Sequence, residues 1–238
     1  MTSRYSATDV NDIVAGRWRK LWLLKSGREQ RDDLTDNFKV QLGRWTEDFN
    51  LRWLGRSRDA AFEPLRDGGL APLPPDTELR CHADSGTYAR RGRYSARPDG
   101  VGRDALGAYV VEAKHTVDRE VPEAIVRTYL GQLFVTMHVL GLERAVLSVI
   151  FGADRLTAYG LSWSDETWAA LERLVDDFDG HLLFDVEPFD PLEPPYLTLP
   201  LPKTTNRWRP APPRKPGTAA RVAAPSDVLE ESSRCVSV

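Results

Sequence analysis

The sequence has few of the features that secreted or membrane-bound proteins carry. Only two cysteines, Cys81 and Cys235, occur among its 238 residues. Two are too few for the disulfide framework of a small secreted domain, and too few for a four-cysteine iron–sulfur cluster within one chain. No run of about 18 apolar residues is present, so no membrane-spanning helix is expected. The amino terminus is polar and acidic, unlike a secretory signal, and we therefore expect a cytoplasmic protein.

The chain also lacks an excess of positive charge. Its 32 Lys and Arg against 35 Asp and Glu give a formal net charge of −3, which is not typical of a general nucleic-acid binder. The distribution is uneven, because arginines crowd one stretch, at positions 80, 90, 91, 93, 97 and 103. A locally basic region on an acidic protein favours an enzyme that holds a polyanionic substrate in one channel.

The remaining composition is that of a globular protein with a substantial core. Hydrophobic residues make up 41% of the chain and seven tryptophans are present. The length suits one large domain, or one domain followed by a tail. Prolines dominate beyond Asp190. We therefore predict a folded domain over residues 1–190 and a Pro-rich, basic tail over residues 191–238 that is extended or disordered.

Hydrophobic periodicity predicts an alternation of helices and strands. Helices are expected over 6–24, 37–54, 123–140 and 165–178, and strands over 88–96, 110–114, 144–151 and 156–163. The main apolar stripe of the second helix consists of Phe38, Leu42, Trp45, Phe49 and Trp53. This order predicts an α/β protein with a mixed central sheet flanked by helices on both faces.

The stretch from Tyr94 to Lys114 contains the best candidate for a catalytic site. A polar turn with Asp99 precedes a strand in which Glu112 and Lys114 share one face, since strand side chains alternate. Carboxylates hold Mg²⁺, which prefers oxygen ligands, and a lysine steadies a water or a phosphate. Two carboxylates and one lysine around a divalent ion make a site that cleaves phosphodiesters.

Each of these motifs also has an ordinary structural interpretation. A Glu and a Lys two residues apart occur on many solvated strand faces, and Pro-Asp-Gly is a common turn.

Further candidates lie on predicted helices. Glu47 follows Gly43 by one helical turn. A glycine in a helix interior lowers the stability of the helix by about 1 kcal/mol relative to alanine. Close approach of another backbone or of a ligand would offset that loss. Glu47 is expected to face the site, with a surface ion pair to Arg44 as the alternative.

The predicted helix after the strand carries Tyr129 and Gln132, three residues apart and therefore on one face. They are candidates for the site, the alternative being a packed tyrosine and a solvated glutamine.

Together the four motifs resemble those of the YqaJ-type viral recombinases, the lambda exonuclease-like family of the PD-(D/E)xK nuclease superfamily. The resemblance covers about residues 6–190 in the family's order. It implies a restriction-endonuclease-like core.

The resemblance also implies a role for each site residue. Asp99 and Glu112 would be metal ligands, joined by the Ala113 carbonyl. Lys114 would position the attacking water, and Glu47 would hold a metal-bound water or a second ion. The helix residues Tyr129 and Gln132 would orient Lys114 or the phosphate. The implied cofactor is Mg²⁺, with Mn²⁺ as a substitute.

By the same resemblance, the chain would be a DNA exonuclease that resects linear double-stranded DNA from a 5′ end. The single strand left would serve phage or prophage recombination by single-strand annealing, in the cytoplasm of a bacterium or an infected host. Implied partners are duplex DNA ends, a single-strand annealing protein and further copies of the chain in a homo-oligomer, a trimer in lambda exonuclease. Residues proposed to contact DNA are Lys25, Arg28, Arg44, Arg93 and Arg97.

Two other functions remain open on the sequence, and a third, a metal hydrolase that acts on small phosphoesters, is disfavoured because the arginines around the site suit a polyanion. The first is a structure-specific or repair endonuclease of the same superfamily. The second is a non-catalytic DNA-binding protein that keeps the nuclease-like fold, although such a protein would have no need of Glu112 and Lys114 together.

Overall fold

The computed structural model of the chain describes residues 5–63, 73–82, 86–117, 122–206 and 208–212. Most of the predicted carboxy-terminal tail, from residue 213 onward, lies outside these described residues. Within them, every helix is too short or too polar to cross a membrane.

The described residues form six α-helices and one 3₁₀ helix, Pro195–Leu197. The α-helices in chain order are α1 (Ala7–Val14), α2 (Trp18–Lys25), α3 (Phe38–Arg58), α4 (Pro122–Thr128), α5 (Leu130–Leu140) and α6 (Asp165–Leu183). The strands are β1 (Tyr5–Ser6), β2 (Phe62–Glu63), β3 (Thr77–His82), β4 (Gly86–Arg91), β5 (Tyr94–Ala96), β6 (Gly100–Asp104), β7 (Gly107–Thr116), β8 (Arg144–Phe151), β9 (Arg155–Ser162) and β10 (Thr204–Asn206).

Three predicted elements are each broken into two. The first helix is interrupted at Gly16, whose φ of +76° is a conformation that glycine adopts readily. Its start at Ser6 is as predicted, because the Ser6 hydroxyl accepts from the Asp9 amide at 3.1 Å. The helix over 123–140 breaks at Tyr129, between α4 and α5. The strand predicted over 88–96 is instead a β-hairpin of β4 and β5, with Gly92 at φ +56° in the turn.

The strands form two mixed sheets. The larger has the order β10-β9-β8-β7-β6-β2, in which β7 and β8 are parallel and the other neighbours antiparallel. The smaller has the order β1-β5-β4-β3, with β1 parallel to β5. The predicted mixed α/β class is confirmed. The smaller sheet differs from the prediction of a single central sheet, because the segment predicted as one strand is the hairpin that builds it.

Helices cover both faces of the larger sheet, as predicted. Alternate residues of β7 point to opposite sides, since Val110 belongs to the main core with Leu130 of α5. Tyr109 and Val111 belong to a second, smaller cluster with Leu54 of α3. The helices α1, α5 and α6 therefore share one side of the sheet, and α3 lies on the other.

The orientation of α3 differs from the prediction. Its main apolar stripe faces outward, with Phe38 75% exposed and Trp45 82% exposed. The buried face instead carries Asn50, Leu54 and Gly55. At Gly55 the fit is close, because an added Cβ would lie 2.7 Å from the Ala60 carbonyl oxygen. The apolar period of α3 is therefore real, although the sheet does not cover it.

Part of the predicted tail lies on the core. Strand β10 pairs antiparallel with β9, an edge that offers unpaired backbone groups. Trp208, only 8% exposed, packs against Tyr109 with ring centroids 5.1 Å apart. The Arg127 guanidinium also donates to the Leu199 carbonyl at 2.8 Å. The described residues between 191 and 212 thus differ from an extended or disordered tail, and the folded unit extends beyond residue 190.

Candidate active site

The antiparallel pairing of β6 and β7 brings the predicted turn next to the Glu-x-Lys strand. Gly100 pairs with Val111, so Asp99, one residue earlier, lies beside the middle of β7. There the Asp99 carboxylate accepts a hydrogen bond from the Ala113 amide at 2.8 Å. The chain therefore brings Asp99, Glu112 and Lys114 to one place, as their spacing had indicated.

Glu112 is fully buried and is only half satisfied. Its Oε1 accepts from the Lys114 ammonium at 2.5 Å and also from the Gln132 amide nitrogen. Its Oε2 is buried and has no hydrogen-bond partner among the described residues. A buried carboxylate oxygen without a partner is costly, so this atom fits a site for a cation.

The site concentrates negative charge. Burial, and then the neighbouring Asp99 carboxylate, raise the pKa of Glu112 to about 8. Burial and the charge of Asp99 also raise the pKa of Glu47, which the charges of Arg97 and Lys114 partly oppose. The pKa of Lys114 is raised, since Glu112 and Asp99 outweigh the burial that would lower it. Added positive charge would therefore favour the ionised forms of these carboxyl groups.

Helix α3 contributes Glu47 from the side of the site opposite α5. Glu47 and Asp99 line the same open groove of about 650 Å³, together with Arg44, Leu51 and Gly100. Asn37 caps the amino-terminal end of α3, because its side chain accepts a hydrogen bond from the Val40 amide at 3.2 Å.

A buried asparagine fastens α3 to the sheet. The Asn50 amide donates to the carbonyls of Lys114 at 3.1 Å and Ser148 at 3.0 Å, and its oxygen accepts from the Ser148 hydroxyl. Asn50 lies one turn after Glu47, so these bonds set the register of Glu47 against β7. Sequence reasoning missed Asn50. The only signal was a polar residue on the same side of the helix as Glu47 and Leu54.

The glycine one turn before Glu47 borders open space. A Cβ at Gly43 would have no atom within 4 Å, so no described backbone makes the close approach that had been expected to offset the cost of Gly43. Close approach of a described backbone does not explain this glycine, and room for a ligand stays a prediction.

The start of α5 completes the site. The Lys114 ammonium lies 5.5 Å from the centroid of the Tyr129 ring, within the range of a cation–π contact. The Gln132 amide donates to the Glu112 oxygen that also accepts from Lys114, so Gln132 is engaged in the site, and its predicted role in orienting Lys114 or the phosphate stays a prediction. α1 fixes this turn, since the Asn11 side chain accepts from the Gln132 backbone amide at 3.4 Å.

The oxygens at the site fit a magnesium ion that keeps part of its water. No group of three or more acidic, histidine or cysteine side chains in the described part of the chain forms a complete set of ligands. Mg²⁺ does not need one, because it is commonly held by one or two carboxylates together with waters and substrate phosphate. Asp99 and the Oε2 of Glu112, which has no partner among the described residues, fit that requirement, and Ala113 directly follows Glu112 on the chain.

The five basic residues proposed to contact DNA divide into two groups. Arg44 lines the groove with Glu47, and the positive charge of Arg97 opposes the rise in the pKa of Glu47. The other three are engaged elsewhere. Lys25 binds Asp9 at 2.7 Å and Arg28 binds Asp185 at 2.7 Å. Arg93 is held among three carboxylates of α6, those of Glu172, Asp176 and Asp179. Such surroundings already neutralise Arg93, so the structure does not support its predicted contact with DNA.

Among solved structures, that of the alkaline exonuclease LHK-Exo from Laribacter hongkongensis aligns with this chain at a TM-score of 0.50. The chain is similar in fold to that exonuclease. The alignment covers 77% of this chain and 89% of LHK-Exo, at 15% sequence identity. A second structure, LHK-Exo in complex with dAMP, aligns over 76% and 89% of the two chains with 16% identity and a TM-score of 0.48. At such identity the likeness concerns the fold alone.

No family model matches the sequence, and no curated protein matches it either. The likeness in fold agrees with the restriction-endonuclease-like core expected from the motifs.

Proposed function

We propose that this chain is a Mg²⁺-dependent DNA exonuclease that digests linear double-stranded DNA from its ends. It proceeds from 5′ to 3′ and leaves a single strand for annealing in phage or prophage recombination. The observation that carries the proposal is the fully buried Glu112 beside Asp99, with one oxygen bound by Lys114 and Gln132 and the other without a hydrogen-bond partner among the described residues. The fold of LHK-Exo, named an alkaline exonuclease, supports it.

In this proposal the chain's own residues hold and orient the reacting groups. Asp99, Glu112 and the Ala113 carbonyl would hold the cation, and Glu47 would face it from α3. When bound, the cation supplies Lewis-acid stabilisation of the charge that builds on the phosphate. The Lys114 ammonium donates hydrogen bonds to the attacking water or to a phosphate oxygen. Gln132 holds the Glu112 carboxylate in place by a hydrogen bond, and the Tyr129 ring orients the Lys114 ammonium by a cation–π contact.

The test is digestion of linear duplex DNA labelled at either the 5′ or the 3′ end. We expect digestion with Mg²⁺ or Mn²⁺ and none with a chelator, and early release of the 5′ label. Lys114→Ala should abolish digestion and leave DNA binding and the circular dichroism spectrum unchanged. Lys20→Ala is the matched control, because that lysine forms a surface ion pair with Asp32 and should leave the rate unchanged.

Three outcomes would contradict the proposal. Digestion by Lys114→Ala at the wild-type rate would show that this site is not the catalytic one. Cleavage of covalently closed circular DNA would show an endonuclease of the same superfamily, since a strict exonuclease leaves a circle intact. Binding of DNA without any metal-dependent turnover would show a non-catalytic DNA-binding protein.

A further inference from the structure

The exposed face of α3 presents aromatic side chains in a row next to the catalytic groove. Trp45, Phe49 and Trp53 are four residues apart, so they lie one above the other along the helix. Phe49 is 55% and Trp53 48% exposed, and Phe38 extends the row toward the start of the helix. We refer to these four residues as the aromatic row. Monomeric soluble proteins seldom expose large apolar side chains so close together, which marks the row as a binding surface.

The two central rings already have the arrangement of a stacking platform. Phe49 and Trp53 are nearly parallel, with an interplanar angle of 24° and centroids 5.8 Å apart. The Arg56 guanidinium lies 6.0 Å from the centroid of Trp53. Flat rings combined with arginine recur where proteins bind unpaired nucleic-acid bases, because every base has a π-face.

The charge of α3 favours a polyanion over a second copy of the chain. The helix carries an excess of positive charge, with Lys39, Arg44, Arg52, Arg56 and Arg58 against Glu47 and Asp48. In a twofold contact the same patch meets itself, so two such excesses would face each other. A nucleic-acid strand would instead neutralise them and release its counterions.

The aromatic row is also continuous with the catalytic groove. Arg44, Arg52 and Arg56 all line the groove that contains Glu47 and Asp99. At 100° per residue, Arg52 and Arg56 lie beside Trp45 and Trp53 on the surface of the helix. A strand whose phosphate lies at Asp99 therefore has a basic path across α3 to the aromatic row.

We infer that the aromatic row of α3 stacks on the unpaired bases of a DNA strand that enters or leaves the catalytic groove. The inference rests on the proposed nuclease function and names the part of the substrate that this surface binds. The base is recognised by its flat face, so the contact is indifferent to sequence. Arg56 supplies a phosphate contact that keeps the strand against the helix, and Arg52 supplies a second by exchanging its exposed ion pair with Asp48 for the phosphate.

The test compares a fluorescein-labelled thymidine oligonucleotide of about 15 nucleotides with an abasic strand of the same length. Fluorescence anisotropy is measured with the full chain and a chelator, which prevents cleavage. Trp45→Ala/Trp53→Ala should weaken binding of the base-bearing strand at least about tenfold and leave binding of the abasic strand unchanged. The wild-type preference for bases should disappear in this variant. Trp45→Tyr/Trp53→Tyr should restore it, since tyrosine also stacks.

Two controls separate stacking from charge and from loss of folding. Phe189→Ala removes a largely exposed ring far from α3 in sequence and should change neither affinity. Arg52→Gln/Arg56→Gln should weaken binding of both strands to the same extent. Circular dichroism spectra and unfolding midpoints show that each variant remains folded.

Three results would overturn the inference. The first is unchanged binding by Trp45→Ala/Trp53→Ala, and the second is an equal loss on both strands. The third is a Trp45→Ala/Trp53→Ala variant that keeps the DNA affinity of the wild type but forms a smaller assembly in sedimentation equilibrium. That result would assign the aromatic row to contact between copies of the chain. Failure of the proposed function is distinguishable, because it would abolish Mg²⁺-dependent digestion by the wild type and leave this preference for bases intact.

Discussion

The carboxylate of Glu112 shows, within one side chain, why the site fits a cation. Its Oε1 has two donors, from Lys114 and Gln132, whereas its Oε2 has none among the described residues. Burying a polar atom without a partner is unfavourable, and a bound ion is one of the explanations for such an atom. A ligand on Oε2 would complete the coordination that the fold leaves unfinished.

Gln132 is expected to act through Glu112. We expect Gln132→Leu to lower the rate of digestion about 10- to 100-fold, mainly by raising the Mg²⁺ concentration needed, because residues that orient metal ligands have effects of that size. Rates measured across a Mg²⁺ titration check this. Gln41→Leu is the control, since the amide of this glutamine donates to the carbonyls of Leu34 and Thr35 and not to a site residue. An unchanged Mg²⁺ requirement in Gln132→Leu would contradict the role.

Asn50 should matter for stability as well as for the site. Asn50→Ala removes the amide that donates to the Lys114 and Ser148 carbonyls and the oxygen that accepts from the Ser148 hydroxyl, so we expect a loss of roughly 2–4 kcal/mol in the free energy of unfolding. Urea unfolding of Asn50→Ala, of Ser148→Ala and of the double variant measures it. The double variant should lose less than the sum of the two, because both single changes remove the same hydrogen bond. Strict additivity would show that the bond contributes nothing.

The residues of the site differ in how far the sequence predicted them. Asp99, Glu112 and Lys114 belong to motifs whose residue types point directly to metal chemistry. Asn50 belongs to no motif, because an asparagine in a helix has many solvated uses. Its role depends on two backbone carbonyls, of residues 114 and 148, that only the packing of α3 on β7 and β8 brings within reach.

At the scale of elements, α3 shows that an apolar stripe identifies a helix without showing which side faces the core. The stripe of Trp45 and Phe49 has helical spacing and is exposed, whereas the buried side includes the polar Asn50. The sheet face under α3 is small, and its cluster consists of a few side chains around Leu54 and Tyr109. Close packing there depends on Asn50 and Gly55, which no measure of hydrophobicity favours.

Gly43 and Gly131, two of the helical glycines near the site, should respond oppositely to alanine. Gly43 borders open space, so Gly43→Ala should raise the free energy of unfolding by roughly 0.5–1 kcal/mol. At Gly131 an added Cβ would lie 3.0 Å from the backbone of Asn11, so Gly131→Ala should lower it by about 1–3 kcal/mol. Urea unfolding of both variants checks this. Destabilisation by Gly43→Ala would show that a neighbour occupies the space beside it.

Breaks within elements were the least predictable feature at this scale. Gly16 and Gly92 adopt positive φ and end their elements, although apolar spacing continues on either side. A single glycine inside a periodic segment is compatible with an unbroken element. Whether it turns depends on the partners beyond it, such as the pairing of Arg91 with Tyr94 across the hairpin.

At the scale of the whole molecule, the folded unit extends past the boundary that composition indicated. The segment leading to residue 212 is rich in proline, yet β10 completes the edge of the larger sheet beside β9. Trp208 then closes the small cluster on the α3 side by packing against Tyr109. Composition alone reflects an average over the segment, whereas three residues of strand and one tryptophan suffice to fasten it.

Two tryptophans allow a matched test of that closure. Trp208→Ala should lower the free energy of unfolding by roughly 3 kcal/mol, because it leaves a cavity beside Tyr109. Trp45→Ala should change it by less than about 0.5 kcal/mol, since that side chain is exposed. Thermal and urea unfolding of the two variants measure the difference. Similar losses in both would contradict the burial of one and the exposure of the other.

The sequence by itself determined the alternation of helices and strands, the two faces of β7 and the acidic and basic groups of the candidate site, because each depends on residue type and local spacing. Tertiary structure alone decided the outward face of α3, the bonds of Asn50, the hairpin at Gly92 and the docking of Trp208. These depend on which distant surfaces meet and on whether buried polar atoms find partners, and local sequence carries no record of either.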